Sequence, residues 1–260
     1  MRRRRSSSIG VRAGRGALRA LRAAPLTLQL VALTIVCIGI WAVTNWIYHA
    51  AHKPTELLAP VSRTFSKTPS ETWREYEAHF RKYATPVIAP ALLAALAQVE
   101  SEGNPLAQTY WQWRLSWHPF EVYRPASSAV GMYQITDATF APAKRECLYE
   151  TGDLSSPGSC WFDGLYGRLA PGRAVQFTAA NLDRSVTAAL RHQRIAGASL
   201  PHKQDLAAVI HLCGAGAGEI YARRGFRLTP GQRCGDHDVR AYLARVNGMK
   251  SVFARLANES

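Results

Sequence analysis

Residues Leu26 to Tyr48 form a run of 23 positions without a charged side chain, and no other feature limits the possible folds of this chain as strongly. As a helix the run would be about 34 Å long, enough to cross a hydrocarbon core of about 30 Å. Trp41, Trp46 and Tyr48 gather at its far end, where amphipathic rings favour the headgroup region. On the near side, residues 1–22 carry eight arginines and no acid, and the first acidic residue of the chain is Glu56. Positive charge before a span keeps that end in the cytoplasm and sends the chain beyond the span outside. A cleaved signal peptide is the competing explanation. Its apolar region would be about 7–15 residues long, and no clear small-x-small cleavage site directly follows Tyr48. The expectation is a single-pass anchor in the inner membrane through residues 26–48, with a cytoplasmic tail at 1–25. The chain carries a net charge of +14, but the arginine run has this topological explanation, so no nucleic-acid partner is expected.

The rest of the chain has the material for one globular domain, since 47% of all residues are hydrophobic. Residues 49–69 contain three prolines and no helical period, which reads as an extended linker. Helical signals dominate 70–260. Trp73, Tyr76, Phe80 and Tyr83 fall on one helical face behind Pro69-Ser70-Glu71. Residues 173–195 form an amphipathic pattern with Val175, Leu182, Val186 and Leu190 on its apolar side. Further helices are expected at 205–213 and 239–246, the latter capped by Asp236 or Asp238. No alternating strand pattern is evident. The fold class is mostly α.

Besides Cys37 in the apolar run there are four cysteines, Cys147, Cys160, Cys213 and Cys234. None forms a C-x-x-C pair and no H-E-x-x-H occurs, so neither a metal site nor a cofactor is expected. Four thiols in an oxidising compartment allow three pairings, of which 147–160 with 213–234 closes the shortest loops. Four unpaired buried thiols are the alternative.

The segment from Ala91 to Val99 is apolar almost all round, and Glu100 ends it. A helix without a polar face belongs in a core. A carboxyl at the C-terminal end of such a helix meets both desolvation and the negative pole of the dipole, which favour its protonated form. A general acid needs that property. Taken alone, the pattern fits better a solvated residue just past a core helix.

The surrounding residues add specificity. Glu100-Ser101-Glu102-Gly103-Asn104-Pro105 resembles the E-S-x-x-N-P signature of the soluble-lytic-transglycosylase (SLT) family, whose members have a lysozyme-like helical fold. Ala129-Val130-Gly131-Met132-Tyr133-Gln134 through Thr139 is similar to that family's G-L-M-Q-x-x-P-x-T motif. Gly214-Ala215-Gly216 stands where its Y-N-A-G motif falls, and Tyr242 to Val246 resembles its closing Tyr-Val-x-x-Ile. The resemblance covers roughly residues 88–250. It implies cleavage of the β-1,4 bond between N-acetylmuramic acid and N-acetylglucosamine in peptidoglycan, without water, leaving 1,6-anhydromuramoyl ends. Glu100 would be the catalytic residue. Ser101, Gly131, Met132, Tyr133 and Gln134 would line the substrate site, with Gly131 letting backbone approach the saccharide. Tyr242 would hydrogen-bond Glu100. Peptidoglycan strands are the implied partner, and an envelope assembly is a further possible one.

Two departures from the family stand out. From Glu100 to Gly131 is 31 positions, longer than the family's spacing, and the excess holds Trp111, Trp113, Trp117 and Tyr123. Aromatic faces stack on sugars, so these tryptophans are candidate glycan contacts as well as candidate packing groups. At His211-Leu212-Cys213 the family's Tyr-Asn pair is missing, which removes an expected contact to an acetamido group. Two other functions stay open: a hydrolytic muramidase similar to goose-type lysozyme, and a weakly catalytic glycan-binding component of an envelope-spanning assembly.

Overall fold

The computed structural model describes residues 24–146 and 167–259. They fall into two compact units. One joins the N-terminal helix to Trp113–Arg124, and the other comprises Lys53–Gln112 and Pro125–Ser260.

In the first unit, α1 spans Leu26–His52 and runs four residues past Tyr48. Its apolar side chains are exposed almost throughout, among them Leu26, Leu33, Ile35, Ile40 and Ile47. In length and composition it is a helix able to cross a membrane.

The second unit is helical. The segment expected as an extended spacer instead folds as short turns at Pro54–Leu58, Ala59–Ser62 (α2) and Arg63–Phe65. Each of its prolines begins or nearly begins a helical turn, where a missing N–H costs nothing. Thr55, Glu56 and Ser62 are buried. Glu56 is paired with Lys53 at 2.8 Å and accepts from the Trp111 indole, while Asn104 Nδ2 donates to Ser62 O. Residue-level periodicity could not anticipate these ties, because they are long-range and polar.

Helix α3 (Pro69–Tyr83) opens on a capping box between Thr68 and Glu71 and buries Trp73, Tyr76 and Phe80. Helix α4 (Pro90–Ser101) buries Leu92 to Ala97 without a break. Each of its three leucines contributes about 1.5–3 kcal/mol through burial. It packs against α3 and against α9 (Val239–Glu259), which is capped by Asp238 accepting from Ala241 N and runs well beyond the expected end. Helices α5 (Asp137–Glu146), α6 (Pro171–His192), α7 (Leu200–Cys213) and α8 (Ala215–Arg223) complete the described helices of this unit. Strands are minimal. Trp111–Trp113 (β1) pairs with Tyr123–Pro125 (β2), and Arg233–Cys234 (β3) with His237–Asp238 (β4).

Cys213 and Cys234 form a disulfide with a Cα–Cα distance of 5.4 Å, the pairing expected from its short loop. Cys147 and Cys160 lie outside the described residues.

Candidate active site

Glu100 occupies the last turn of α4, and the way that helix stops sets its position. Glu102 takes the left-handed conformation at φ 56°, and Gly103 comes next at φ 65°. Their N–H groups donate to Gln98 O and Ala97 O, so the final carbonyls are satisfied as in a glycine-type C-cap. A Cβ on Gly103 would stand 2.2 Å from Thr72 Oγ1, which fixes a glycine there for steric as well as conformational reasons.

The Glu100 side chain keeps 17% of its surface exposed. Tyr242 Oη of α9 donates to Glu100 Oε1 at 2.5 Å. His211 Nε2 of α7 stands 3.6 Å from the same oxygen. Burial, and after it the Glu100 carboxylate, holds the Tyr242 phenol well above its ordinary value, so it acts as a hydrogen-bond donor rather than a phenolate.

The segment 129–137 is tied to α4 and then clasped by an arginine. Ser101 Oγ donates to Met132 O at 2.8 Å, so this hydroxyl joins the two motif segments. Gly131 has φ 78°, and a Cβ there would meet Arg168 O at 2.3 Å. The close approach that requires glycine is therefore to the protein's own backbone. Arg168, whose side chain is 7% exposed, donates to Ser128 O and Ile135 O and pairs with Asp137 Oδ1 at 2.6 Å. Burial lowers its pKa while Asp137 counters the shift. Gln134 Nε2 donates to Gly131 O at 3.0 Å.

Met132 and Tyr133 expose no surface, so the expectation that their side chains line a saccharide site is not met. Both fill the core beneath the motif. The Tyr133 ring stands edge-on to His211, and its hydroxyl finds no hydrogen-bond partner among the described residues.

A cleft of about 440 Å³ opens beside this cluster, and its walls include Gln134, Thr136, Asn181, Ser185, His211 and Gly214. His211 thus touches both the cleft and Glu100. The cleft's described lining holds no carboxylate and is rich in hydroxyl and amide groups, a composition suited to sugar hydroxyls and acetamido groups. Asn181 and Ser185 were not anticipated, although their i, i+4 spacing on α6 marks one helical face. They flank the apolar stripe that the periodicity identified. Of the three tryptophans considered as glycan contacts, Trp111 donates to Glu56 Oε2. Trp113 belongs to the unit built on α1, as does Trp117.

No group of three or more histidine, cysteine or acidic side chains able to hold a metal ion occurs among the described residues.

Residues 77–162 match the family model described as the transglycosylase SLT domain. No curated protein matches the chain. The match covers Glu100-Ser101 and Gly131–Gln134 and stops before His211 and Tyr242. The mostly helical chain thus carries a segment similar to the SLT lysozyme-like domain, which suggests glycan-cleaving transglycosylase activity on peptidoglycan.

Proposed function

We propose that the SLT domain of this chain is a peptidoglycan lytic transglycosylase in which Glu100 is both acid and base. The observation that carries the reading is the Glu100 carboxyl at the end of a buried helix, held by Tyr242 and set beside His211 at the cleft. The Glu100 proton passes to the oxygen linking N-acetylmuramic acid to N-acetylglucosamine, and the muramyl C1–O bond breaks. The C6 hydroxyl oxygen of the same muramyl residue then attacks C1, its proton returns to Glu100, and a 1,6-anhydro ring closes. One carboxyl completes the cycle, whereas most glycosidases need a pair. Asp137, a candidate second carboxylate, is engaged by Arg168. Mass spectrometry of muropeptides tests the single-carboxyl cycle. Products lighter by one water than hydrolysis products are expected, and hydrated ends would move the enzyme to the muramidases.

The same reading places α1 in the inner membrane with the arginine-rich tail in the cytoplasm and the SLT domain in the periplasm. The length and exposed apolar surface of the helix support it. A topology reporter fused after residue 60 should be active only outside the cytoplasm; cytoplasmic activity would reject it.

A further inference from the structure

The insertion Trp113–Arg124 shares a unit with α1, and the chemistry of their contact is unusual for an apolar helix. Three polar side chains near the end of α1 are all directed at backbone carbonyls of the insertion. Trp41 Nε1 donates to Pro119 O at 3.1 Å, Asn45 Nδ2 to Tyr123 O at 2.7 Å, and His49 Nε2 to Phe120 O at 2.7 Å. Asn45 is 1% exposed. Rings complete the seam, with Trp41 against Trp113, Tyr48 against Phe120, and Trp113 against Tyr123.

These contacts begin well inside the uncharged run. Trp41 precedes Tyr48 by seven residues, about 10 Å along a helix, so the insertion covers the last two turns of the span. Carbonyls at that depth need partners that lipid cannot supply, and the three side chains supply them. Other side chains of the insertion are exposed. Trp113, although it stacks on Trp41, is still 70% exposed, and Leu115 is 103% and Trp117 101% exposed, with Arg114 and His118 exposed between and beside them. Large apolar side chains turned wholly outward mark a surface that something covers.

We infer that Trp113–Arg124 is a second membrane contact, seated at the headgroup–acyl boundary of the leaflet at the C-terminal end of α1, with Leu115 and Trp117 entering the lipid. The inference rests on the proposal that α1 spans the bilayer. Continuity with the exposed apolar surface of α1 selects phospholipid as the occupant. The mixture of tryptophan, leucine and cationic side chains is the composition that the interface favours. Trp113 and Trp117 then serve attachment rather than glycan binding.

The test uses the full chain in vesicles of phosphatidylethanolamine and phosphatidylglycerol, part of the lipid brominated close to the headgroup. Bromine quenches tryptophan only on close approach, and subtraction of Trp117→Phe from the unmodified protein isolates the Trp117 signal. Trp117 is fully exposed, so the substitution leaves packing intact; Trp46→Phe reports in the same way on α1. The expected result is that both Trp46 and Trp117 lose most of their emission. Quenching of Trp46 with unchanged Trp117 would overturn the insertion's role and leave the anchor standing. If neither were quenched, both readings would fall. A Trp117 signal that ignores lipid but shifts on adding purified glycan strands would return this residue to substrate binding.

Discussion

The phenol of Tyr242 donates to Glu100 Oε1 across 142 positions of sequence, joining the helix that carries the carboxyl to a helix near the C-terminus. The bond fixes one oxygen of the carboxyl that the proposed mechanism uses. Tyr242→Phe removes the donor and keeps the ring, which is 2% exposed. A hydrogen bond to a charged group is worth about 1.5–3 kcal/mol, so kcat should fall about 10- to 100-fold with little change in KM. Steady-state turnover of purified peptidoglycan checks this, and unchanged kcat would release Tyr242 to a packing role.

Asn181 and Ser185 offer the cleft an amide and a hydroxyl in a protein whose sequence lacks the asparagine the family would place near His211. Asn181→Ala should raise KM about tenfold, the effect of one lost hydrogen bond of about 1.4 kcal/mol. Its melting temperature should stay close to that of the unmodified protein, because the side chain is only partly buried. Equal loss of stability and affinity would argue against a sugar contact.

Much of this site was legible in sequence because it depends on local pattern. An apolar stretch ending in Glu-Ser and a Gly-x-x-Gln segment are short motifs, and Tyr242 could be placed from its order behind them. The disulfide between Cys213 and Cys234 was expected from loop length. The reasons behind the motifs were less accessible. Gly131 is required by the Arg168 carbonyl, and Ser101 is spent on Met132 O; both depend on which segment packs on which. Met132 and Tyr133 read as site residues because they sit within a motif, yet a motif that lines a cleft also sends side chains into the core beneath it. For the insertion, aromatic composition alone does not distinguish a sugar contact from packing or from lipid.

Arg168 is a buried cation that holds the 128–137 segment through two carbonyls and Asp137. Asp137→Asn weakens the charge pairing and should cost about 1–3 kcal/mol of stability, the range for a buried charged group short of a partner. Asp137 itself is 60% exposed, so solvent moderates the loss toward the lower end. Thermal unfolding measures the change. Turnover at a temperature where the variant is folded should stay near that of the unmodified protein, since Asp137 has no part in the proton transfers.

Burial pushes four tyrosines upward, with Tyr221 reaching about 12 and Tyr133 and Tyr242 well above their ordinary value, as is Tyr76. Their folded values exceed the unfolded value of about 10, so the stability they confer is complete below that pH. It is lost as pH rises through the folded values. Melting temperature should therefore fall steeply above about pH 10, in step with phenolate absorbance. Phenolate forming at about pH 10 with no unfolding would show these rings to be solvated.

The central claim is that one carboxyl performs both proton transfers, and Glu100→Gln tests it most directly. The substitution keeps size and hydrogen bonding while removing the transferable proton. An amide at the end of a buried helix is easier to desolvate than a carboxylate, so the variant should fold. General acid catalysis contributes about 10²–10⁴-fold. With both steps resting on one group, turnover of purified peptidoglycan to anhydro-muropeptides should drop by a factor at the upper end of that range or beyond, while Glu102→Gln retains most activity. A folded Glu100→Gln protein with near-normal turnover would contradict the mechanism.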